Sequence, residues 1–173
     1  MDLLNIIDTS TCNIFVGTKN FYILQNNNLN IEINLNNVLL PFGSEKYNDK
    51  IIINIELENT NTNNNILSKL NKLEENLFNS NINMNVINKN ILKNKGLSSI
   101  IKQSKLGNII RTHLLKNTEI FILKKNGEKI EIDHSNLTNS ECDIKLDLKG
   151  VWLNDNNYGL YITIKSIKIN KFN

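Results

Sequence analysis

Apolar and polar residues alternate along both ends of the chain, and this period of two indicates β-strands with one face in solvent. The alternation is clearest at residues 29–35 and 51–58, where isoleucine and leucine occupy every second position. Residues 11–16 and 21–24 show it as well, on either side of a turn that contains Gly17. The first 60 residues therefore predict a set of short strands. The single proline, in Leu40-Pro41-Phe42-Gly43, marks a loop between two of them.

The middle of the chain changes to a helical spacing of apolar residues. Within residues 64–79, Ile66, Leu70 and Leu77 recur on one face of a 3.6-residue period, which predicts an amphipathic helix. The charged side chains of this segment, Glu74 among them, fall outside the apolar stripe, so we expect them in solvent.

Strand patterns return after residue 92. They predict strands at residues 96–102, 109–115, 120–125, 128–132, 144–149 and 159–169. Asn126-Gly127 is the strongest hairpin signal, because a tight type I′ turn needs positive φ at both central residues. In the last strand Leu160 and Ile164 have one parity and Ile167 the other, which predicts a β-bulge near Lys165-Ser166.

Many short strands, one strong helix and no βαβ rhythm predict a mainly β fold with one or two helices, built as a small antiparallel barrel or sandwich. No internal repeat or boundary divides the sequence, so we expect a single domain over residues 1–173.

The composition limits the function only loosely. The chain of 173 residues is 40% hydrophobic and has a net charge of +3, which permits nucleic-acid binding without requiring it. Asparagine makes up roughly a fifth of the residues, a bias we attribute to an AT-rich genome. Cys12 and Cys142 have no CxxC partner and are expected to be reduced. With no long apolar run and no basic leader, we expect an intracellular protein that is neither secreted nor membrane-bound.

Motifs for catalysis or metal binding are missing. His113 and His134 have no ligand at zinc spacing, and a phosphate-cradling glycine loop is absent. Asp133-His134-Ser135 has the letters of a hydrolase triad, but neighbouring residues cannot place nucleophile, base and orienting acid in line. We therefore predict a protein that is not an enzyme and uses neither cofactor nor metal.

The distribution of basic and aromatic residues carries more information. From Lys89 to Arg111 every charged residue is positive, which is typical of a segment that binds the phosphate backbone of a nucleic acid. Tyr161 is out of phase with the apolar residues of its strand and shares its outer face with Thr163 and Lys165, as a base-stacking residue would. The predicted phosphate contacts are Lys93, Lys95, Lys102, Lys105, Arg111, Lys124, Lys125 and Lys165. The predicted stacking residues are Phe121, Tyr158 and Tyr161, whereas Trp152 is assigned more strongly to the core.

Two segments resemble a known family. The Leu40-Pro41-Phe42-Gly43 turn, the strand after it and the amphipathic helix resemble the first half of single-stranded DNA-binding proteins of large DNA viruses and some phages. Asp147-Leu148-Lys149-Gly150-Val151-Trp152-Leu153, followed by Tyr158-Gly159-Leu160 and the last strand, resembles the closing hairpin of that family.

The resemblance implies an OB-fold that coats single-stranded DNA in viral replication or recombination, inside the host cytoplasm or nucleus. Single-stranded DNA is then the expected partner, with RNA, replication proteins and a second copy of the chain as further ones. The alternative is a virion or protein-interaction β-domain that does not bind nucleic acid, and a nuclease-like enzyme is a third, less favoured reading.

Overall fold

The computed structural model describes residues 1–6, 8–9, 12–18, 20–79, 92, 94–105 and 107–172. Within them the chain forms eleven strands and one α-helix. The strands are β1 (Cys12–Thr18), β2 (Phe21–Asn26), β3 (Leu29–Leu40), β4 (Ser44–Tyr47), β5 (Lys50–Leu57), β6 (Gly96–Leu97), β7 (Ile101–Ser104), β8 (Gly107–Leu123), β9 (Lys129–Glu131), β10 (Ser140–Leu153) and β11 (Asn157–Phe172). The helix, α1, spans Asn61–Asn79. The predicted mainly β fold class is confirmed.

The chain divides into two compact units, each assembled from three segments. Unit 1 comprises Met1–Ile33, Asn64–Ile100 and Asp147–Ile162. Unit 2 comprises Asn34–Asn63, Ile101–Leu146 and Thr163–Asn173. Because β3, β10 and β11 each continue from one unit into the other, neither unit is a continuous stretch of sequence. That residues 1–173 act as one domain stays a prediction.

In unit 1, β2 pairs in antiparallel fashion with β1, with the start of β3 and with the end of β10. The short strand β6 pairs in parallel with the start of β11. The core of this unit lies between the strands and α1, whose residues Ile66, Leu70, Leu73 and Leu77 are completely buried. The predicted helical stripe is therefore confirmed, and the helix begins three residues earlier than predicted, at Asn61.

One prediction for the helix is wrong. Glu74, expected in solvent, is only 3% exposed, and its Oε1 accepts a hydrogen bond of 3.0 Å from the backbone N–H of Ile100. A carboxylate in this position satisfies a backbone donor that the apolar core could not.

In unit 2, β5 is the central antiparallel strand and pairs with β3, β4 and β8. β8 also pairs in antiparallel fashion with β7 and β9, and in parallel with β11. The sequence predicts a small antiparallel barrel, and the pairings of β11 with β6 and β8 are parallel exceptions to it. β8 itself joins two segments predicted as separate strands into one strand of 17 residues.

The turns predicted from the sequence are confirmed only in part. The hairpin between β8 and β9 is present, but Gly127 alone has positive φ (84°), so the predicted type I′ turn at Asn126-Gly127 is wrong. Positive φ at both central residues occurs instead at Asn27 (50°) and Asn28 (61°), between β2 and β3. The predicted proline-containing turn is confirmed: Gly43 has φ 61° and its N–H donates to the carbonyl of Leu40.

Both cysteines are free thiols with no exposed surface. Burial, reinforced by Asp143 and Glu141, raises the pKa of Cys142 to about 12. Burial also raises the pKa of Cys12, against the hydrogen bond from Asn26 that lowers it. We expect neither thiol to react with Ellman's reagent at pH 8 in the native protein, because both stay protonated and covered. Both should react in guanidinium chloride; rapid labelling of the folded protein would contradict the described packing.

Candidate nucleic-acid interface

Unit 1 carries a cluster of aromatic residues on one face of β1, β2 and β10. Phe15 is the direct cross-strand partner of Ile23, and Phe21 is that of Trp152. Directly opposed residues point to the same side of a sheet, so these four side chains share a face. Tyr161 joins them from β11, with its ring centroid 5.6 Å from that of Phe21 and the rings at 87°. We call Phe15, Phe21, Trp152 and Tyr161 the aromatic face.

The sequence produces this face because each strand alternates. Ile14, next to Phe15 on β1, and Leu24, next to Ile23 on β2, are 3% and 1% exposed and form the core side. Phe15 is 39% exposed and Ile23 36%, whereas Phe21, Trp152 and Tyr161 are half-buried. The rings therefore pack against each other and still present surface to solvent.

Glycines lie beneath two of the rings. A Cβ atom at Gly17 would lie 3.2 Å from Cδ1 of Phe21, and one at Gly159 would lie 3.2 Å from Nε1 of Trp152. Both distances are shorter than ordinary van der Waals contact, so the rings occupy space that a side chain would fill. The surface around the rings is apolar. β1 and β2 contain no acidic residue.

A second surface lies within unit 2, where β8, β10 and β11 border a groove of about 470 Å³. Phe121 lies in it, and Lys129, Lys145, Lys165 and Lys168 line it. The acidic residues of the lining are Glu119 and Asp143, so the formal charge of the groove is positive. We call this surface the basic groove. It brings together two predicted site residues, Phe121 and Lys165.

Arg111 lies in a different groove of unit 2, of about 540 Å³, together with Tyr47, Lys50 and His113. Burial lowers the pKa of His113, and the positive charges of Lys50 and Arg111 lower it further. Asp49 lines the same groove, and Tyr47 is 63% exposed. Lys50 and His113 were not among the residues predicted from the sequence.

The remaining predicted residues are dispersed. Lys102, Lys105 and Lys125 are exposed, and Lys124 forms an ion pair of 2.9 Å with Glu128. Nζ of Lys95 donates hydrogen bonds to the carbonyls of Asn154 and Asp155, where it holds the turn between β10 and β11. Lys93 lies outside the described residues.

Two sequence-based assignments on β11 are wrong. Tyr158 is completely buried, so its ring offers no surface to a base and belongs to the core. Thr163, expected beside Tyr161 on a solvent face, is only 2% exposed. The prediction of Trp152 as mainly a core residue is also too strong, because its indole is half-buried on the aromatic face.

Phe15 and Phe21 were missed altogether. Both stand one position out of phase with the buried residues of their strands, the same signal that singled out Tyr161. The residues that the structure describes contain no cluster of three or more potential metal ligands. Among them, no helix is both long and apolar enough to span a membrane.

The fold is similar to that of known proteins. The single-stranded DNA-binding protein from bacteriophage Enc34, solved in complex with single-stranded DNA, superimposes with a TM-score of 0.55 at 11% identity, over 94% of this chain and 96% of that chain. A second structure of that phage protein gives a TM-score of 0.55 at 12% identity, over 94% and 90% of the two chains. No protein-family model matches the sequence, and no curated protein matches it. The resemblance indicated by the sequence is confirmed at the level of the fold.

The local field around His113 can be measured. Lys50→Met should raise the pKa of His113 toward its ordinary value, because one of the two nearby cations is removed. An NMR titration of the imidazole protons would show this. Since the folded-state pKa is depressed, the unfolded chain binds the proton more tightly, and stability is lost as the pH falls through and below the ordinary histidine value. An unchanged His113 titration in Lys50→Met would contradict the described proximity.

Proposed function

We propose that the protein binds single-stranded DNA without catalysis and with little sequence preference, and that bases stack on the aromatic face. The observation that carries the proposal is the aromatic face itself: partly exposed rings, two of which lie on β1 and β2, strands that contain no acidic residue. Stacking on such a surface tolerates any base, because every base has a π-face. The likeness of the fold to a phage protein solved in complex with single-stranded DNA supports the same function.

The exposed cations of the predicted set supply the contacts to phosphate. Lys102, Lys105, Arg111 and Lys125 are exposed, and Arg111 lies beside Lys50 and Tyr47. Such contacts bind the backbone without reading sequence. In this proposal the protein covers single strands during viral DNA replication or recombination, within infected cells, and RNA competes only to the extent that stacking and charge allow.

A protein-interaction domain is the alternative, and one observation favours it. β1 stands at one end of the strand order, and among the described residues it pairs only with β2. Its sequence carries no charge, and Val16 on it is 65% exposed. An uncharged apolar edge is a template for pairing with another strand, for example from a second copy of the chain.

Titration of a fluorescently labelled oligo-dT tests the proposal directly. We expect binding at low salt that weakens as salt rises, with a slope of roughly −0.7 per neutralised phosphate. Trp152 is the only tryptophan of the chain, so its fluorescence should be quenched with the same midpoint as the anisotropy change. Absence of binding at low salt, together with an oligomer in light scattering, would reject this function in favour of the alternative.

Substitutions within unit 1 locate the stacking surface. Phe21→Leu and Tyr161→Leu should each weaken oligo-dT binding roughly five- to hundredfold, the range expected for loss of one base–aromatic stack. Tyr22→Leu is the matched control, because Tyr22 lies between Phe21 and Ile23 and points to the other face of β2. It should leave the affinity within about twofold. Equal losses in all three variants, with unchanged circular dichroism, would place the DNA elsewhere.

A further inference from the structure

The basic groove contains an aromatic ring that a cation covers. Nζ of Lys129 lies 4.4 Å from the ring centroid of Phe121, within the range of a cation–π contact. The same ammonium group forms an ion pair of 3.2 Å with Glu119. Glu119, Lys129 and Phe121 thus form one connected cluster in which the ring that could stack a base is occupied by a side chain of the protein.

The ammonium group of Lys129 is held over the ring of Phe121 only weakly. The side chains of Lys129 and Glu119 are 57% and 65% exposed, so solvent screens their attraction. An exposed cation–π contact is similarly modest in strength. A planar ligand can therefore replace the ammonium group on the ring at little cost, provided that Lys129 finds another anion.

The other acidic residue of the groove is held differently. The Asp143 carboxylate accepts hydrogen bonds from Nζ of Lys168 at 2.8 Å, from Nδ2 of Asn170 at 2.8 Å and from the backbone N–H of Asn37 at 3.1 Å. Burial of this carboxylate raises its pKa, but the hydrogen bonds outweigh that effect, so the net pKa lies below the ordinary value. Asp143 is a structural anion, whereas Glu119 is an exposed anion whose visible role is to hold Lys129.

We propose that the basic groove is a second binding surface for single-stranded DNA, in which a base displaces Lys129 from the ring of Phe121 and the freed ammonium group binds a phosphate. Glu119 opposes this exchange, because it holds Lys129 over the ring and repels the phosphate. The inference rests on the proposed function and adds to it a site whose affinity is set by one acidic residue. Lys145 and Lys165 line the same groove and favour an anionic occupant over a neutral one.

Two substitutions test the exchange by oligo-dT anisotropy. Glu119→Gln should tighten binding roughly two- to fivefold, the effect of removing one exposed ion pair. Phe121→Leu should weaken binding roughly fivefold or more through loss of a stack. Glu75→Gln on α1 is the matched control, since it removes the same charge from an exposed residue outside the groove, and it should leave the affinity unchanged.

The double variant separates the exchange from a general effect of charge. In the Phe121→Leu background the gain from Glu119→Gln should largely disappear, because the covered ring is no longer there. An undiminished gain in that background, or an equal gain from Glu75→Gln, would overturn the inference. Failure of the wild-type protein to bind oligo-dT would instead refute the proposed function. Thermal unfolding of each variant confirms that the fold is retained.

Discussion

The change of register between β8 and β11 determines the positions of many side chains in unit 2. Ile164 pairs with Leu114 and Ser166 with Glu119, so one residue of β11 lies opposite four residues of β8. Thr118 bridges the irregularity: its hydroxyl donates to the carbonyl of Ile164 at 2.9 Å and accepts from the N–H of Leu115 at 3.1 Å. Backbone groups that the ladder leaves open are thereby satisfied, as buried polar groups require.

The basic groove depends on that change of register. It reverses the parity of β11, so that Ile164 and Ile167 are both buried while Lys165 between them is exposed. It also sets Glu119 opposite Ser166 and Phe121 opposite Lys168. The acidic residue, the ring and the lysines of the basic groove are neighbours because of this one local irregularity.

The sequence predicts half of this feature. The parity change at Lys165-Ser166 is visible in the spacing of isoleucines, because burial imposes a period of two on each side of the break. The four extra residues of β8, 115–118, cannot be predicted from the sequence. Pairing between β8 and β11 joins segments about 50 residues apart and depends on tertiary packing. For the same reason two predicted strands became the single strand β8. Helix α1 was predictable because its apolar stripe is a local signal.

The abundance of asparagine limits the prediction of turns from the sequence. Its abundance was attributed to genome composition, yet five asparagines in the part of the chain that the structure describes have positive φ: Asn27, Asn28, Asn37, Asn48 and Asn139. Asparagine tolerates this region better than other residues with a side chain, so a chain with seven glycines can still close its turns. With asparagine in nearly every loop, the sequence does not mark which of them are the turns. For the aromatic face, the out-of-phase positions of Phe15 and Phe21 are visible in the sequence, but the glycines beneath Phe21 and Trp152 come there only in the folded chain.

The charges of the chain make stacking the larger contribution to the proposed binding. Lys124, Lys129, Lys149 and Lys168 are all in ion pairs, and Lys95 donates to backbone carbonyls. A lysine that is already paired must exchange a carboxylate or carbonyl for a phosphate, which yields less free energy than a solvated lysine would. The aromatic face makes no such exchange, since its rings need only shed water, and it is therefore the surface on which binding should chiefly depend.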